Sequence, residues 1–343
     1  MKYPKVFFVA LSALILAVWA SPSLALEPIP KQDGFSGVIG AGANYFNFES
    51  NDIAKIAGIE VSDARASSLS PGGGEEPESE SSVLPALNFD LRYTLGGSQT
   101  QFFLANTLFD LVKLDSFTEL GVRQQFSDRS ILSVGLVFSG MVEVYSDPYL
   151  SGTDRTETDR TATGVRLVYD KIMGSGFGIE AMFRKIDIDE ERSGASLALT
   201  PAQRALLDRN ADESSVGVQY AFMIAEGQSF TPAVSFINYD SDGDAMNNQR
   251  FQIEATYAFR SEVFDFALNA MFATASYDEA NPVFNKEEED TIYGVFAKGV
   301  YKNLLDVSGL DLVGQVGYEV KDADIDFLNS QATLAGLSLQ YRF

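Results

Sequence analysis

The sequence contains no histidine and no cysteine. Without histidine, the chain lacks the side chain that most often serves as a general base or metal ligand near neutral pH. Serine–histidine catalysis is therefore excluded, and although carboxylates are plentiful, their spacing singles out no acidic pair. Without cysteine there is neither a disulfide framework nor a lipoprotein anchor. We expect no enzymatic activity.

Positive charge is also scarce. The chain has 25 lysines and arginines against 48 aspartates and glutamates, which gives a formal net charge of −23. Nucleic-acid phosphates require a basic surface, so this balance predicts no nucleic-acid partner. Two interpretations of the acidity stay open: an ordinary solvated surface, or external loops that meet cations.

Long apolar runs are confined to the beginning of the chain. Residues 1–25 have the features of a secretory signal peptide, because two lysines flank the start of the apolar run Val6 to Ala20 and a small-x-small site follows at Ser23 to Ala25. We predict cleavage after Ala25, so that the mature chain begins at Leu26. No later run approaches the roughly 20 residues of a spanning helix. The mature chain can therefore enter a membrane only as closed β-structure.

The closing stretch, Gln331 to Phe343, alternates between apolar and polar residues. In a strand this period of two gives one apolar and one polar face. The apolar members are Ala335, Leu337, Leu339, Tyr341 and Phe343. A terminal apolar strand would be an exposed edge, and a barrel removes that edge by pairing its last strand with its first. We predict that residues 331–343 pair with the first strand, Gly34 to Phe48.

The same alternation recurs along residues 26–343 in about fourteen segments, separated in turn by long polar loops and short tight turns. This pattern predicts an all-β fold: a transmembrane, antiparallel, up-and-down β-barrel with short periplasmic turns and longer extracellular loops. An even strand count places both termini on the periplasmic side. Aromatic residues beside the short turns are typical of an interfacial girdle.

Three segments depart from the alternation. The apolar patch Ile53 to Val61 suggests a short helix, and the polar run Pro71 to Ser82 suggests a mobile stretch. Pro201 to Arg209 predicts a helix, because a proline at an early helical position precedes good helix formers. The roles of the longest loops stay open; they span 49–82, 188–213 and 277–290.

If the apolar stripe faces lipid, the alternate positions face the lumen and carry charges of both signs. The candidates for lumen-lining charges are Asp90, Arg92, Glu119, Arg123, Arg166, Asp170, Glu180, Arg184, Glu254, Asp265, Lys298, Asp311, Glu319 and Arg342. On neighbouring strands they can form ladders of ion pairs. Two interpretations stay open: a water-filled channel whose transverse field orients polar solutes, or a self-neutralising network that fills or stiffens the interior.

One loop suggests a calcium site. Asp240, Asp242 and Asp244 place carboxylates at alternate positions, a spacing that calcium favours. The loop departs from the helical calcium loop, because Ala245 stands where glycine is expected and Phe251 where the final glutamate is expected. A solvated acidic turn is the simpler interpretation, and we expect no other cofactor.

Three stretches carry a resemblance to a known family: LEPIPKQDGFSGVIGAGANY (Leu26 to Tyr45), GVRLVYDKIMGSGFGIE (Gly164 to Glu180) and RKIDIDEERSG (Arg184 to Gly194). The sequence resembles an uncharacterised family of Gram-negative outer-membrane proteins, a domain of unknown function. The resemblance spans the mature chain. It implies a barrel in the outer membrane and supplies neither an activity nor a site.

The sequence thus favours a porin-like channel for passive diffusion of small hydrophilic solutes. The alternative is a non-conducting structural or surface-interaction barrel with acidic, cation-binding loops. A transporter of apolar molecules is a third candidate, since Met271 and Phe296 fall on the predicted inward face. The expected partners are outer-membrane lipid, small solutes and the outer-membrane assembly machinery, which would read Tyr341 and Phe343 as its signal.

Overall fold

The structure, a computed structural model, describes residues 26–70, 73–113 and 115–343. The predicted signal peptide and its cleavage site after Ala25 lie outside the described residues. The strands are β1 Gly34–Glu49, β2 Ile53–Ile56, β3 Ile59–Glu60, β4 Ser79–Leu95, β5 Thr100–Asp110, β6 Asp115–Gln125, β7 Ile131–Tyr145, β8 Glu157–Asp170, β9 Phe177–Ile188, β10 Ala211–Tyr220, β11 Phe222–Ala225, β12 Gln228–Ser241, β13 Asn248–Arg260, β14 Phe264–Tyr277, β15 Glu289–Tyr301, β16 Leu310–Ala323 and β17 Ser330–Arg342.

In the part of the chain that the structure describes, helical structure is confined to a few turns. The α-helix is α1 Pro201–Ala205, and the 3₁₀ turns are Ile172–Gly174, Asp244–Met246, Leu304–Asp306 and Asp326–Leu328. Within the described residues, no helix is long and apolar enough to cross a membrane. The predicted helix at Pro201 is confirmed, with Thr200 and Gln203 forming a capping box, but it ends at Ala205 rather than Arg209.

Fourteen of the strands close into one antiparallel barrel, and β2, β3 and β11 are short additions to it. The seam lies at β1, which pairs with β4 along one edge and with β17 along the other. Ala43, for example, stands opposite Pro85 on β4 and Leu337 on β17. The predicted barrel, its strand count and the pairing of the closing strand with the first strand are confirmed.

The outward side chains form an apolar belt. Leu120 is 52% exposed and Phe183 is 53% exposed. Aromatic residues flank this belt beside the short turns, as the sequence predicts, and these include Tyr93, Phe126, Phe177, Phe264, Tyr301 and Tyr341. A second aromatic row, which sequence reading missed, lies beside the loops and includes Tyr45, Phe138, Phe236, Phe251, Phe272, Tyr293 and Tyr318. A closed barrel with an apolar belt between two aromatic rows is a membrane-spanning barrel.

The hairpin of β5 and β6 leaves the barrel wall in its upper half. The end with the long loops is called the loop end here, and the opposite end the turn end. β5 pairs with β4 only over Thr100 to Ala105, although β4 begins at Ser79. Where β5 departs, the Asn106 side chain replaces the ladder: its Oδ1 accepts from Phe89 N–H, and its Nδ2 donates to the Leu87 carbonyl, both at 2.8 Å.

The tip of this hairpin lies inside the barrel. Leu111 and Val112 are buried, and Leu111 N–H donates to Glu319 Oε2 on β16 at 3.3 Å. A Cβ on Gly317 would meet both Leu111 and Phe296, so the tip packs closely against β15 and β16. Residues 111–113 of this connection therefore turn inward rather than forming an external loop.

A small hairpin takes the position that β6 vacates. β6 pairs with β7 only as far as Thr118, which stands opposite Phe138. From there toward the loop end, β7 pairs with β2 instead, with Val142 opposite Ile56. The prediction of a helix over Ile53 to Val61 is wrong, because the open edge of β7 offers main-chain partners to an extended segment. β4 also begins at Ser79, inside the stretch predicted to be mobile.

Two apolar cores follow from this arrangement. The inner apolar cluster fills the loop-end half of the barrel and comprises Phe46, Phe48, Ile53, Ile56, Val61, Leu84, Leu111, Val112, Val142, Val144, Ile188, Phe296, Ala332 and Leu334. The cap core lies among the long loops and comprises Tyr149, Leu207, Phe284, Ile325 and Phe327. Within the cap core, the Tyr149 and Phe327 rings stack 5.7 Å apart.

Candidate functional site: the barrel lumen

The inward charges predicted from the sequence lie mainly in the middle and turn-end parts of the barrel, which we call the polar lumen. Buried side chains among them are Glu119, Arg123, Asp170, Arg184, Lys298, Asp311 and Glu319. Half-buried ones are Asp90, Arg92, Arg166, Glu180, Glu254 and Asp265. Arg342 lies exposed at the turn-end mouth, 3.4 Å from Asp311.

One chain of ion pairs runs along the lumen wall from β6 to β9. Arg166 Nη1 lies 3.0 Å from Glu119 Oε2, and its Nε lies 2.8 Å from Glu180 Oε1. Glu119 reaches Arg166 over Gly135, where an added Cβ would lie 2.1 Å from Glu119 Oε1. The glycine therefore gives a long side chain room to lie flat on the wall. These ion pairs support the self-neutralising interpretation for this part of the lumen.

A second pair is almost completely buried. Arg184 Nη2 on β9 lies 2.8 Å from Glu213 Oε1 on β10, and the two side chains are 2% and 4% exposed. Gly164 again makes room, because an added Cβ there would lie 2.8 Å from Arg184 Cγ. Sequence reading assigned Glu213 to the preceding loop. Glu213 lies two residues before Ser215 and four before Gly217, so all three share one face of the strand. This shared parity was the signal that could have placed Glu213 in the lumen.

Several polar atoms of the lumen have no protein partner among the described residues. They are Asn44 Nδ2, Asn88 Oδ1, Glu119 Oε1, Arg123 Nε, Gln219 Oε1 and Gln315 Oε1. Buried polar groups in stable proteins are hydrogen-bonded to protein or to ordered water. These atoms therefore favour a hydrated polar lumen, in contrast to the dry packing of the inner apolar cluster.

The segment Leu26 to Asp33, which we call the N-terminal strap, occupies the turn-end mouth. Ile29 is buried, and its N–H donates to Gln125 Oε1 on β6 at 2.7 Å. Glu27 pairs with Arg260 at the end of β13, at 2.9 Å, and lies 3.8 Å from Arg92 on β4. Because β4 and β13 lie on different sides of the barrel, the strap spans its mouth.

Two arginines, the buried Arg155 and the half-buried Arg209, hold the loops over the opposite end. Arg155 donates to the carbonyl oxygens of Asn51, Asp63, Ala64 and Pro148, and its guanidinium lies 3.6 Å from the Tyr145 ring centroid. In this way one side chain ties the connection after β1 to the connection after β7. The other is Arg209, whose partners are Asp52, Glu191 and the carbonyl oxygens of Tyr145 and Ser146.

A carboxylate pair shares one cation at the loop end, close in sequence to Phe284 of the cap core. Lys321 Nζ lies 2.9 Å from Glu288 Oε1 and 3.6 Å from Asp290 Oδ2. Burial raises the pKa of Glu288 to about 8, and the neighbouring Asp290 carboxylate also raises it while Lys321 opposes the shift. One ammonium group cannot balance two buried carboxylates, so a proton is retained near neutral pH.

The remaining sequence candidates lie on the outside. Asp240, Asp242 and Asp244 are all exposed. Among the described residues, no group of three or more acidic side chains is arranged to hold a metal ion. Tyr341 and Phe343 are about half exposed at the turn end, and the Phe343 and Gly37 main chains exchange two hydrogen bonds.

Comparisons with solved structures find outer-membrane barrels. A FadL homologue from Pseudomonas aeruginosa is 10% identical, with a TM-score of 0.44 over 89% of this chain and 90% of that chain. An outer-membrane channel from Pseudomonas putida F1 is 11% identical, with a TM-score of 0.44 over 93% and 97%. The DcaP channel from Acinetobacter baumannii is 9% identical, with a TM-score of 0.42 over 96% and 100%.

Sequence comparison gives a firmer result. No curated protein matches the sequence. One family model matches residues 34–342, which is the barrel from the start of β1 to the end of β17. The resemblance noted in the sequence is thereby confirmed, and the chain belongs to the family described as protein of unknown function DUF2860.

Proposed function

We propose that the chain is an outer-membrane channel for small hydrophilic solutes, with the short turns and both termini in the periplasm. The observation that supports this proposal is the set of lumen atoms that lack a protein partner within the described part of the chain, because they favour water inside the barrel. Charges of both signs along the wall would replace part of the hydration of a passing polar solute.

The resting state of this channel is closed at the loop end. The tip of the β5–β6 hairpin packs against β16, and the inner apolar cluster surrounds it. Water and polar solutes do not cross tightly packed apolar side chains, so conduction requires the tip to move. The channel is therefore gated, with the hairpin tip as its moving part.

Conductance in a planar bilayer tests the proposal. The double variant Leu111→Ala and Val112→Ala removes packing from the tip, so the open probability of stepwise currents should rise on the order of tenfold. The matched control Leu120→Ala and Leu136→Ala removes the same kind of side chain from the lipid face and should leave the open probability unchanged. Folded wild-type and variant barrels that never conduct at any voltage would overturn the channel and favour a non-conducting structural barrel.

A second candidate function rests on a separate observation. The β5–β6 hairpin leaves the wall at Asn106, beside the inner apolar cluster, so a small apolar molecule could pass from the membrane into that cluster. The only tryptophan of the chain is Trp19, in the predicted signal peptide, so Phe296→Trp would give the mature chain a single reporter. Saturable quenching of this reporter by a brominated alkane, with only linear quenching of the outward Phe251→Trp, would favour the apolar route.

A further inference from the structure

Asp170 is the most deeply buried carboxylate at the turn end of the barrel. It ends β8, it is 0% exposed, and an added Cβ on Gly178 would lie 2.7 Å from its Oδ1, so it lies flat against β9. Its Oδ2 accepts a hydrogen bond at 2.5 Å from the backbone nitrogen of Leu26. This contact joins residues 144 positions apart and anchors the first residue of the N-terminal strap.

The identity of that nitrogen matters because cleavage is predicted directly before it. In the precursor, Leu26 N is a neutral amide. After cleavage behind Ala25 it becomes the terminal amino group, which has an ordinary pKa of about 8 and is mostly protonated at neutral pH. The hydrogen bond to Asp170, in which only the acceptor carries a charge before cleavage, then becomes an ammonium–carboxylate ion pair and gains the attraction between two opposite charges.

We propose that Asp170 is the binding site for the N-terminal ammonium group of the mature chain, and that signal cleavage locks the strap across the turn-end mouth. The rest of the strap is built for this position. Gly96 N–H donates to Asp33 Oδ1 at 2.7 Å, and the strap passes so close to Gly96 that an added Cβ would lie 2.1 Å from the Lys31 carbonyl oxygen. Both ends of the strap are therefore fixed.

Maturation acts as a one-way step under this proposal. Before cleavage, the strap has only a neutral donor at Asp170 and continues into residues 1–25. After cleavage the strap gains a positive charge next to the buried Asp170 carboxylate. The inference depends on the cleavage site and on Asp170, and it does not depend on whether the barrel conducts.

The mature protein in detergent, purified from the outer membrane, provides the test. Mass spectrometry of the N-terminal peptide should find Leu26 as the first residue. Asp170→Asn should then raise two rates on the order of tenfold each: acylation of the terminal amine at pH 7, and tryptic cleavage after the exposed Lys31. The control Asp322→Asn removes an exposed carboxylate at the loop end and should change neither rate.

A second variant covers the case in which Asp170→Asn fails to fold. Inserting Gly-Ser between Ala25 and Leu26 leaves Asp170 in place but moves the ammonium group two residues away, so Lys31 should again be cut faster in a barrel with normal heat-modifiable mobility. A mature chain that starts elsewhere, or equal rates in the wild type and both altered proteins, would overturn the proposal. Because neither readout uses current, a non-conducting barrel leaves it intact.

Discussion

The two halves of the barrel interior are built from different chemistry although the same strands line both. On β4, Leu84 and Ala86 belong to the dry loop-end half, while Asn88 and Asp90 belong to the polar half just below. The change occurs where the β5–β6 hairpin leaves the wall. Inward positions facing the hairpin tip are apolar because they pack against it, and inward positions below it are polar because they meet water and one another. The chemistry of the lumen lining therefore depends on the hairpin tip that enters the barrel and not on the wall strands alone.

The largest expected difference in stability is between a carboxylate placed in the apolar half and one placed in the polar half. Leu84→Asp puts an unpaired carboxylate into the inner apolar cluster and should destabilise the barrel by about 4 kcal/mol or more. Asn88→Asp, four residues along the same face of β4, should cost about 1 kcal/mol or less, because the polar lumen is hydrated. Urea unfolding followed by heat-modifiable mobility measures both. Equal losses would show that the two halves do not differ in hydration.

The stability of the polar half should depend on its buried ion pairs. Arg184→Met leaves Glu213 as a buried carboxylate without its arginine, and we expect a loss of about 3–5 kcal/mol. Adding Glu213→Gln to the same chain should recover most of this loss, since no uncompensated charge then remains. Unfolding of the two single variants and the double variant forms the thermodynamic cycle. An unchanged stability of Arg184→Met would contradict a structural role for the pair.

Main-chain hydrogen bonding at the boundary between the halves should depend on the Asn106 side chain. Asn106→Ala removes the amide that satisfies Phe89 N–H and the Leu87 carbonyl where β5 departs, at an expected cost of about 1–3 kcal/mol. Hydrogen exchange should accelerate at Phe89 while the paired residues Tyr93 and Leu95 stay protected. Thr107→Ala, the neighbouring position, is the control and should leave this exchange pattern as in the wild type.

A further test concerns the Glu288–Asp290 carboxylate pair among the loops. Because the folded pKa of Glu288 is raised to about 8, the folded state keeps a proton that the unfolded chain loses near pH 4.5. The unfolded state therefore binds fewer protons between these values, and stability should fall as pH rises from about 5 to 8. Glu288→Gln should flatten this slope in thermal unfolding curves. An equally steep slope in the variant would assign it to another group.

Much of the architecture is readable from local pattern. The alternation of period two identifies the strands, the sorting of long and short connections identifies the topology, and the closing strand from Gln331 identifies the seam. These features are predictable because each depends on residues close in sequence. The inward direction of Arg166, Glu180 and Arg184 follows from the same parity, although their partners do not.

The tertiary structure alone decided which strands stay in the wall. Alternation gives each strand two faces but does not determine which strand it pairs with. The segment Ile53 to Val61 therefore shows only an apolar run, which indicates neither that β5 and β6 leave the wall nor that β2 pairs with β7. The same applies to the strap, whose contacts from Leu26 to Asp170 and from Ile29 to Gln125 link residues about a hundred or more positions apart. Local side-chain periodicity determined the barrel, and long-range main-chain pairing decided what fills and closes it.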